Sequence, residues 1–201
     1  MEKIKNEFLK KLVKKFNKSM VVKFRSMYKD VIIGSLYKSL NCTNKHQVPK
    51  LVKIKINRGL GLSAQNSAVL KKTIEEFRII SGQQPVVTFA RNSIASFKVR
   101  EEMPLGVTVT LRGDKMYSFL DRFINIALPR SRDFQGLNPK GFDKFGNYTV
   151  GLTEQLLFPE ISYDSVDQTR GFNITFVTNA KTREAGAMLL REFGLPLREK
   201  I

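Results

Sequence analysis

Cysteine and histidine are nearly missing from this chain. Among 201 residues there is one of each, Cys42 and His46, so neither an internal disulfide nor a Cys/His zinc site can be built, and a reducing compartment suits the composition. Long apolar runs are missing as well: none approaches the ~18 residues that a membrane span requires, and a membrane is not an expected partner. The first residues lack the compact apolar core and small-residue cleavage site of a signal peptide. There is no GxxxxGK[ST] phosphate cradle, no internal repeat and no low-complexity tract. Carboxylates such as Glu101/Glu102 and Asp164/Asp167 read as solvated surface charges rather than an acid–base pair. Cys42 and His46 lie four residues apart in a polar linker, where an incidental pairing is expected rather than nucleophile and base. An enzyme is hard to assemble from such parts.

What is abundant is positive charge. The chain has 35 Lys/Arg against 18 Asp/Glu, a net +17, beyond what solubility asks for, and this points to a polyanion. Residues 1–100 hold 22 Lys/Arg and 5 Asp/Glu, while residues 101–201 hold 13 of each. The polyanion-facing surface is therefore expected mainly in the N-terminal half. Residues 1–22 place Ile4, Phe8, Leu12 and Phe16 at helical spacing among lysines, predicting a basic amphipathic helical arm ahead of one domain over 23–201.

Periodicity outlines the domain. A helix is expected over Tyr28 to Leu40, and a strand over Leu51 to Asn57, with Val52, Ile54 and Ile56 inward and Lys53, Lys55 and Asn57 outward. Another helix is expected over 64–80 with Ser63 as its cap, then a strand over Pro85 to Phe89. A polar, basic loop (Ala90 to Glu102) leads to a strand over Gly106 to Arg112, whose outward residues are Thr108, Thr110 and Arg112. Met116, Phe119, Leu120, Phe123, Ile124 and Ala127 mark a core-facing helix ended by Pro129. Residues 130–149 read as an irregular surface segment exposing Arg130, Arg132, Lys140 and Lys144. Short strands follow at Tyr148 to Leu152 and Gly171 to Thr178, and a closing helix at Thr182 to Phe193 carries Ala185, Met188, Leu189 and Phe193. Without regular βαβ repetition, the fold class expected is α+β, a largely antiparallel sheet with helices packed on one face. Its other face would offer ammonium, amide, hydroxyl and guanidinium groups, which suit the wide, shallow minor groove of folded RNA.

One motif argues for something else. Strand, Gly59-Leu60-Gly61-Leu62-Ser63-Ala64, helix is the outline of a dinucleotide-binding fingerprint, and a nicotinamide-dependent oxidoreductase is the alternative reading. It needs a fully buried parallel strand and a carboxylate after the next strand. Here Lys53 and Lys55 precede the glycines, and Ala90-Arg91-Asn92 follows the next strand, so no cofactor is expected.

Long collinear segments resemble a known family. They include QVPKLVKIKINRG at 47–59, ISGQQPVVTFARNSIASFKVRE at 80–101, LGVTVTLRG at 105–113, FLDRFINIALPRSRDFQGL at 119–137 and FDKFGNYTVGLTEQLLFPEI at 142–161. Their wording is similar to the bacterial and plastid type of large-subunit ribosomal protein L5. The resemblance implies assembly with 5S rRNA and large-subunit rRNA in the central protuberance, a loop reaching P-site tRNA, and a bridge contact to a small-subunit head protein. It implies 5S rRNA contacts at Asn57, Gln83 and Thr110; Lys53, Lys55, Thr108 and Arg112 share the expected outer face, and Arg58, where the family commonly has Met, adds a charge beside it. It places tRNA contacts at Arg91, Asn92, Ser93, Phe97, Lys98 and Arg100. The family usually has Lys at 92 and Gly at 96 and 102, where this chain has Asn92, Ser96 and Glu102. A taste for Lys, Ile, Asn and Phe suits an AT-rich organelle genome, pointing to a plastid ribosome rather than a bacterial cytoplasm.

Overall fold

The computed structural model describes residues 24–132, 134–163 and 166–198; the expected arm over 1–22 lies outside them, as does Asp164. Five strands form one sheet in the order β2-β3-β1-β5-β4, from β1 (Leu51–Gly59), β2 (Val86–Phe89), β3 (Pro104–Leu111), β4 (Tyr148–Leu152) and β5 (Phe172–Thr178). Every adjacent pair is antiparallel. The expected α+β class is what the chain forms. No two neighbouring strands are parallel: β1 and β2, joined through the helix over 67–81, run the same way but are separated by β3, so the adjacent parallel strands a dinucleotide fingerprint needs are absent and that reading of Gly59 and Gly61 is overturned.

The helices follow from spacing and caps. In α1 a π-helical turn (Tyr28–Ile32) runs into the α-helix Ile33–Ser39. The next helix, α2 (Ser67–Ser81), starts three residues later than expected. A 3₁₀ turn over Gly61–Gln65 intervenes, so Asn66 rather than Ser63 caps the helix, accepting from the Ala68 N–H at 3.0 Å. It ends at Gly82, whose φ of +63° is a left-handed terminus that glycine adopts without penalty. The amphipathic stripe of α3 (Gly113–Arg122, widening to a π-helical turn over Phe123–Ala127) is buried at Met116, Phe119, Leu120, Phe123 and Ala127. The last helix, α4 (Arg183–Glu192), is capped by Thr182 and buries Gly186, Leu189 and Leu190; Met188 stays largely outside.

Helices roof one side of the sheet. The inward set is Ile54 and Ile56 on β1, Val107, Val109 and Leu111 on β3, Phe172, Ile174 and Phe176 on β5, and Tyr148 on β4, all buried. Phe123 of α3 meets Phe176 at 5.7 Å between ring centroids, and Phe77 of α2 meets Phe172 edge-on at 5.8 Å. Each such ring is worth about 1.5–3 kcal/mol in area removed from water. At the far end Phe193 collects Phe24, Tyr28 and Tyr117, and the Ser35 hydroxyl donates to Glu192 at 2.8 Å, fastening α1 to α4.

The inward set on β1 departs from expectation at Val52. Leu51 pairs with Thr178 and Lys53 with Val177, so Val52 is an extra residue, a bulge. The bulge resets the alternation: Leu51 is buried and Val52 is 41% exposed.

Candidate nucleic-acid interface

Among the described residues no helix covers the other face of the sheet. Register aligns its residues into rows across the sheet. Thr110, Lys55, Thr175 and Thr149 make one row, and Val86, Thr108, Asn57, Asn173 and Gly151 make the next. At the usual spacing of ~4.8 Å between strands, the longer row spans about 20 Å. Lys55, Asn173 and Thr149 are exposed, and Lys53, Asn57, Thr108, Thr110 and Thr175 are half-buried. The side chains of Lys55, Asn57 and Thr110 hydrogen-bond to no other described residue, which leaves an ammonium, an amide and a hydroxyl free to meet a ligand. Thr108 is more committed, its hydroxyl donating to the Ile56 carbonyl at 3.2 Å. Thr149 donates to the Thr175 hydroxyl at 3.2 Å.

At one end of this face Gln83 donates through Nε2 to the Thr110 carbonyl at 3.2 Å, tying the turn after α2 to β3. Arg112, exposed, closes the β3 series at the start of α3. At the other end β1 and β3 approach closely at Gly59 and Gly106. A Cβ on Gly106 would stand 2.4 Å from the Arg58 carbonyl oxygen, so only glycine fits there.

Arg58 is the expected site residue that the structure moves off this face. It points into the dry side, 1% exposed, and pairs with Glu76 of α2. Its guanidinium lies 5.1 Å from the Phe77 ring and 5.6 Å from the Phe172 ring and donates to the Arg170 carbonyl at 3.2 Å. Burial pulls its pKa below the ordinary value, and the hydrogen bond and charge of Glu76 oppose that shift. Arg58 therefore cannot meet a phosphate; it holds the sheet to α2. Parity along β1 carries the signal, because 58 is in step with 54 and 56.

The loop between β2 and β3 folds back on itself. Ile94 and Val99 form an antiparallel bridge around a 3₁₀ turn, Ala95–Phe97. The Ser93 hydroxyl accepts from the Glu101 N–H at 2.9 Å. Arg91, Asn92, Ser93, Phe97, Lys98 and Arg100 are all exposed, with Phe97 at 68%. The structure thus brings the six loop residues to one tip, apart from the sheet face. Lys98 and Glu102 hold left-handed backbone at φ +53° and +64°, a conformation that favours glycine. Among the described residues no cluster of three His, Cys, Asp or Glu could hold a metal ion, and no helix is long and apolar enough to cross a membrane.

Sequence comparison supplies the family. Residues 44–100 match the model described as Ribosomal protein L5, and residues 104–197 match the model for the C-terminus of the same ribosomal family. The chain belongs to the ribosomal protein L5 family. It is 60% identical over 175 residues to the large ribosomal subunit protein uL5c of Heterosigma akashiwo, covering 87% of this chain and 97% of that one. It is 55% identical over 177 residues to uL5c of Tetradesmus obliquus, covering 88% and 98%. To uL5 of Acaryochloris marina it is 52% identical over 180 residues, covering 90% and 99%. Members of this family are structural, not enzymatic, components of the large ribosomal subunit, and the relatives make this a plastid-type member.

Proposed function

We propose that the chain binds 5S rRNA through the uncovered sheet face and carries it as part of the large subunit of a plastid ribosome. Lys53, Lys55, Asn57, Thr108, Thr110 and Arg112 are the contacting side chains, and Gln83 orients the turn beside them. The observation that carries the reading is the free, outward set of Lys55, Asn57 and Thr110 on a rigid sheet. Ammonium and guanidinium groups pair with phosphates and supply most of the affinity, while amide and hydroxyl groups meet 2′-hydroxyls and base edges. The β2–β3 tip is proposed to reach P-site tRNA, with Arg91, Lys98 and Arg100 on phosphates and Phe97 as a stacking ring; Asn92 and Ser93 complete it. A bridge to a small-subunit head protein belongs to the same reading, and the arm over 1–22 is proposed to add non-specific RNA affinity.

Filter binding of purified chain to 5S rRNA across a salt series tests the face. Steeply salt-dependent binding that weakens in Asn57→Ala and Thr110→Ala supports it, and unchanged binding in both variants sinks it. Deleting residues 1–22 provides the contrast: loss of all affinity would move the function from the sheet to the arm.

A further inference from the structure

We propose that Ser96 is a phosphorylation site, and that its phosphate reverses the charge of the β2–β3 tip and releases the tip from the RNA it meets. The inference rests on the proposed reading of that tip as a tRNA contact and adds its regulation. Ser96 is the second residue of a turn from Ala95 to Lys98, closed by the Lys98 N–H donating to the Ala95 carbonyl at 3.0 Å. Beneath the turn, the Ile94 and Val99 N–H groups donate to each other's carbonyls at 2.9 and 3.2 Å. Ser96 is exposed, and its hydroxyl hydrogen-bonds to no other described residue.

Two features suit this hydroxyl to a protein kinase that reads basic segments. Arg91 lies five positions before it, and Lys98 and Arg100 lie two and four after it, all exposed, a charge pattern that an acidic substrate cleft selects. Residues 91–98 are all exposed, so the turn opens into such a cleft without uncovering any core. Ser93 in the same tip is less suited, because its hydroxyl already accepts from the Glu101 N–H at 2.9 Å and braces the loop. In the transfer, Ser96 Oγ attacks the terminal phosphorus of a nucleoside triphosphate. The Oγ–P bond forms and the bond from that phosphorus to the diphosphate oxygen breaks. The hydroxyl proton passes to a base of the kinase, and the nucleoside diphosphate leaves.

The charge of the tip makes a single phosphate decisive. Residues 90–102 carry Arg91, Lys98 and Arg100 against Glu101 and Glu102, three positive charges and two negative, a net of +1. A phosphate brings about −1.5 to −2 at neutral pH, so one modification takes the tip to about −1. Its oxygens also accept hydrogen bonds from cations close by in the chain, and Lys98 and Arg100 so engaged are withdrawn from the phosphates of an RNA strand. The sheet face stands apart from the tip and keeps Lys53, Lys55 and Arg112, so the switch acts on the loop contact and spares the 5S rRNA contact.

The test incubates full-length chain with ATP and an extract of plastids from its own cell, then locates phosphate by fragment mass spectrometry. Phosphate on Ser96 that is lost in Ser96→Ala is expected; phosphate on other residues only, or on none, overturns the site. The consequence is read as tRNA binding to the chain already loaded with 5S rRNA, over a salt series, with each variant checked for an unchanged melting temperature. The phosphorylated chain is expected to bind tRNA about tenfold more weakly, with the salt slope lowered by about two. Ser96→Ala should bind like the parent and stay indifferent to ATP and extract. A phosphorylated chain that binds tRNA as the parent does, or that loses 5S rRNA equally, overturns the switch. If Arg91→Gln/Lys98→Gln/Arg100→Gln still weakens tRNA binding in that case, the reading of the tip stands without its switch. No change in that triple variant overturns the reading of the tip as well.

Discussion

Lys55 and Arg58 stand three positions apart on one strand, carry the same charge and meet opposite fates. Lys55 faces water on the open side of the sheet, with no partner among the described residues, while Arg58 lies under α2 between two phenylalanine rings and against Glu76. Charge alone therefore says nothing about RNA. A cation serves a polyanion only where the strand's two-residue period leaves it outside; on the other side it must be matched internally, because an unpaired buried charge is costly.

The comparison can be broken most forcefully at Arg58. Arg58→Ala leaves Glu76 buried and unpaired and should cost about 3–5 kcal/mol by urea unfolding. Replacing both partners by apolar residues should recover most of that, and 5S rRNA affinity of the folded protein should not move. A stable Arg58→Ala protein with weakened RNA binding would reverse the assignment of the two faces. Next in size, Gly106→Ala should cost about 1–3 kcal/mol, because its methyl meets the Arg58 carbonyl and pushes β3 from β1.

Alkaline titration separates the sides another way. Burial pushes Tyr148 up to about 12, and burial together with the nearby Tyr117 does the same to Tyr28. Their ordinary value is 10.0, so the unfolded chain ionises first. Stability from these rings is complete below about pH 10 and is lost as pH rises from there to about 12. Phenolate absorbance from the two should therefore appear together with unfolding.

On the wet side, Lys55→Gln combined with Asn57→Ala should leave stability within about 0.5 kcal/mol of the parent. It should weaken 5S rRNA binding about tenfold and lower the salt slope by about one. The smallest effect is expected at the loop. Glu102→Gly removes left-handed strain and should stabilise by about 1 kcal/mol at most, read as a small rise in the denaturation midpoint.

Much of this is legible from residues alone. The i, i+3, i+4 series from Met116 to Ala127 is a buried stripe, and the Thr108–Thr110–Arg112 and Asn173–Thr175 alternations face outward. The failures have physical causes. Alternation puts Val52 inside because it assumes an unbroken ladder, and a one-residue bulge shifts it. Ser63 looks like a cap because a 3₁₀ turn before a helix resembles the helix's own first turn. Charge puts Arg58 on the wet face, although its parity with Ile54 and Ile56 places it under the helices. The contact between the end of the chain and residues 136–137 has no local signal, since it joins segments some 60 residues apart through the Leu137–Leu197 bridge.

By itself the order of residues determined the period of each element, the family, and a surplus of cations in the first half. Periodicity and composition are local properties that need no partner to be expressed. Only the tertiary structure decided which cations face solvent and which, like Arg58, are matched inside. Those outcomes depend on strand register and on contacts between distant segments, where a shift of one residue exchanges the inside for the outside.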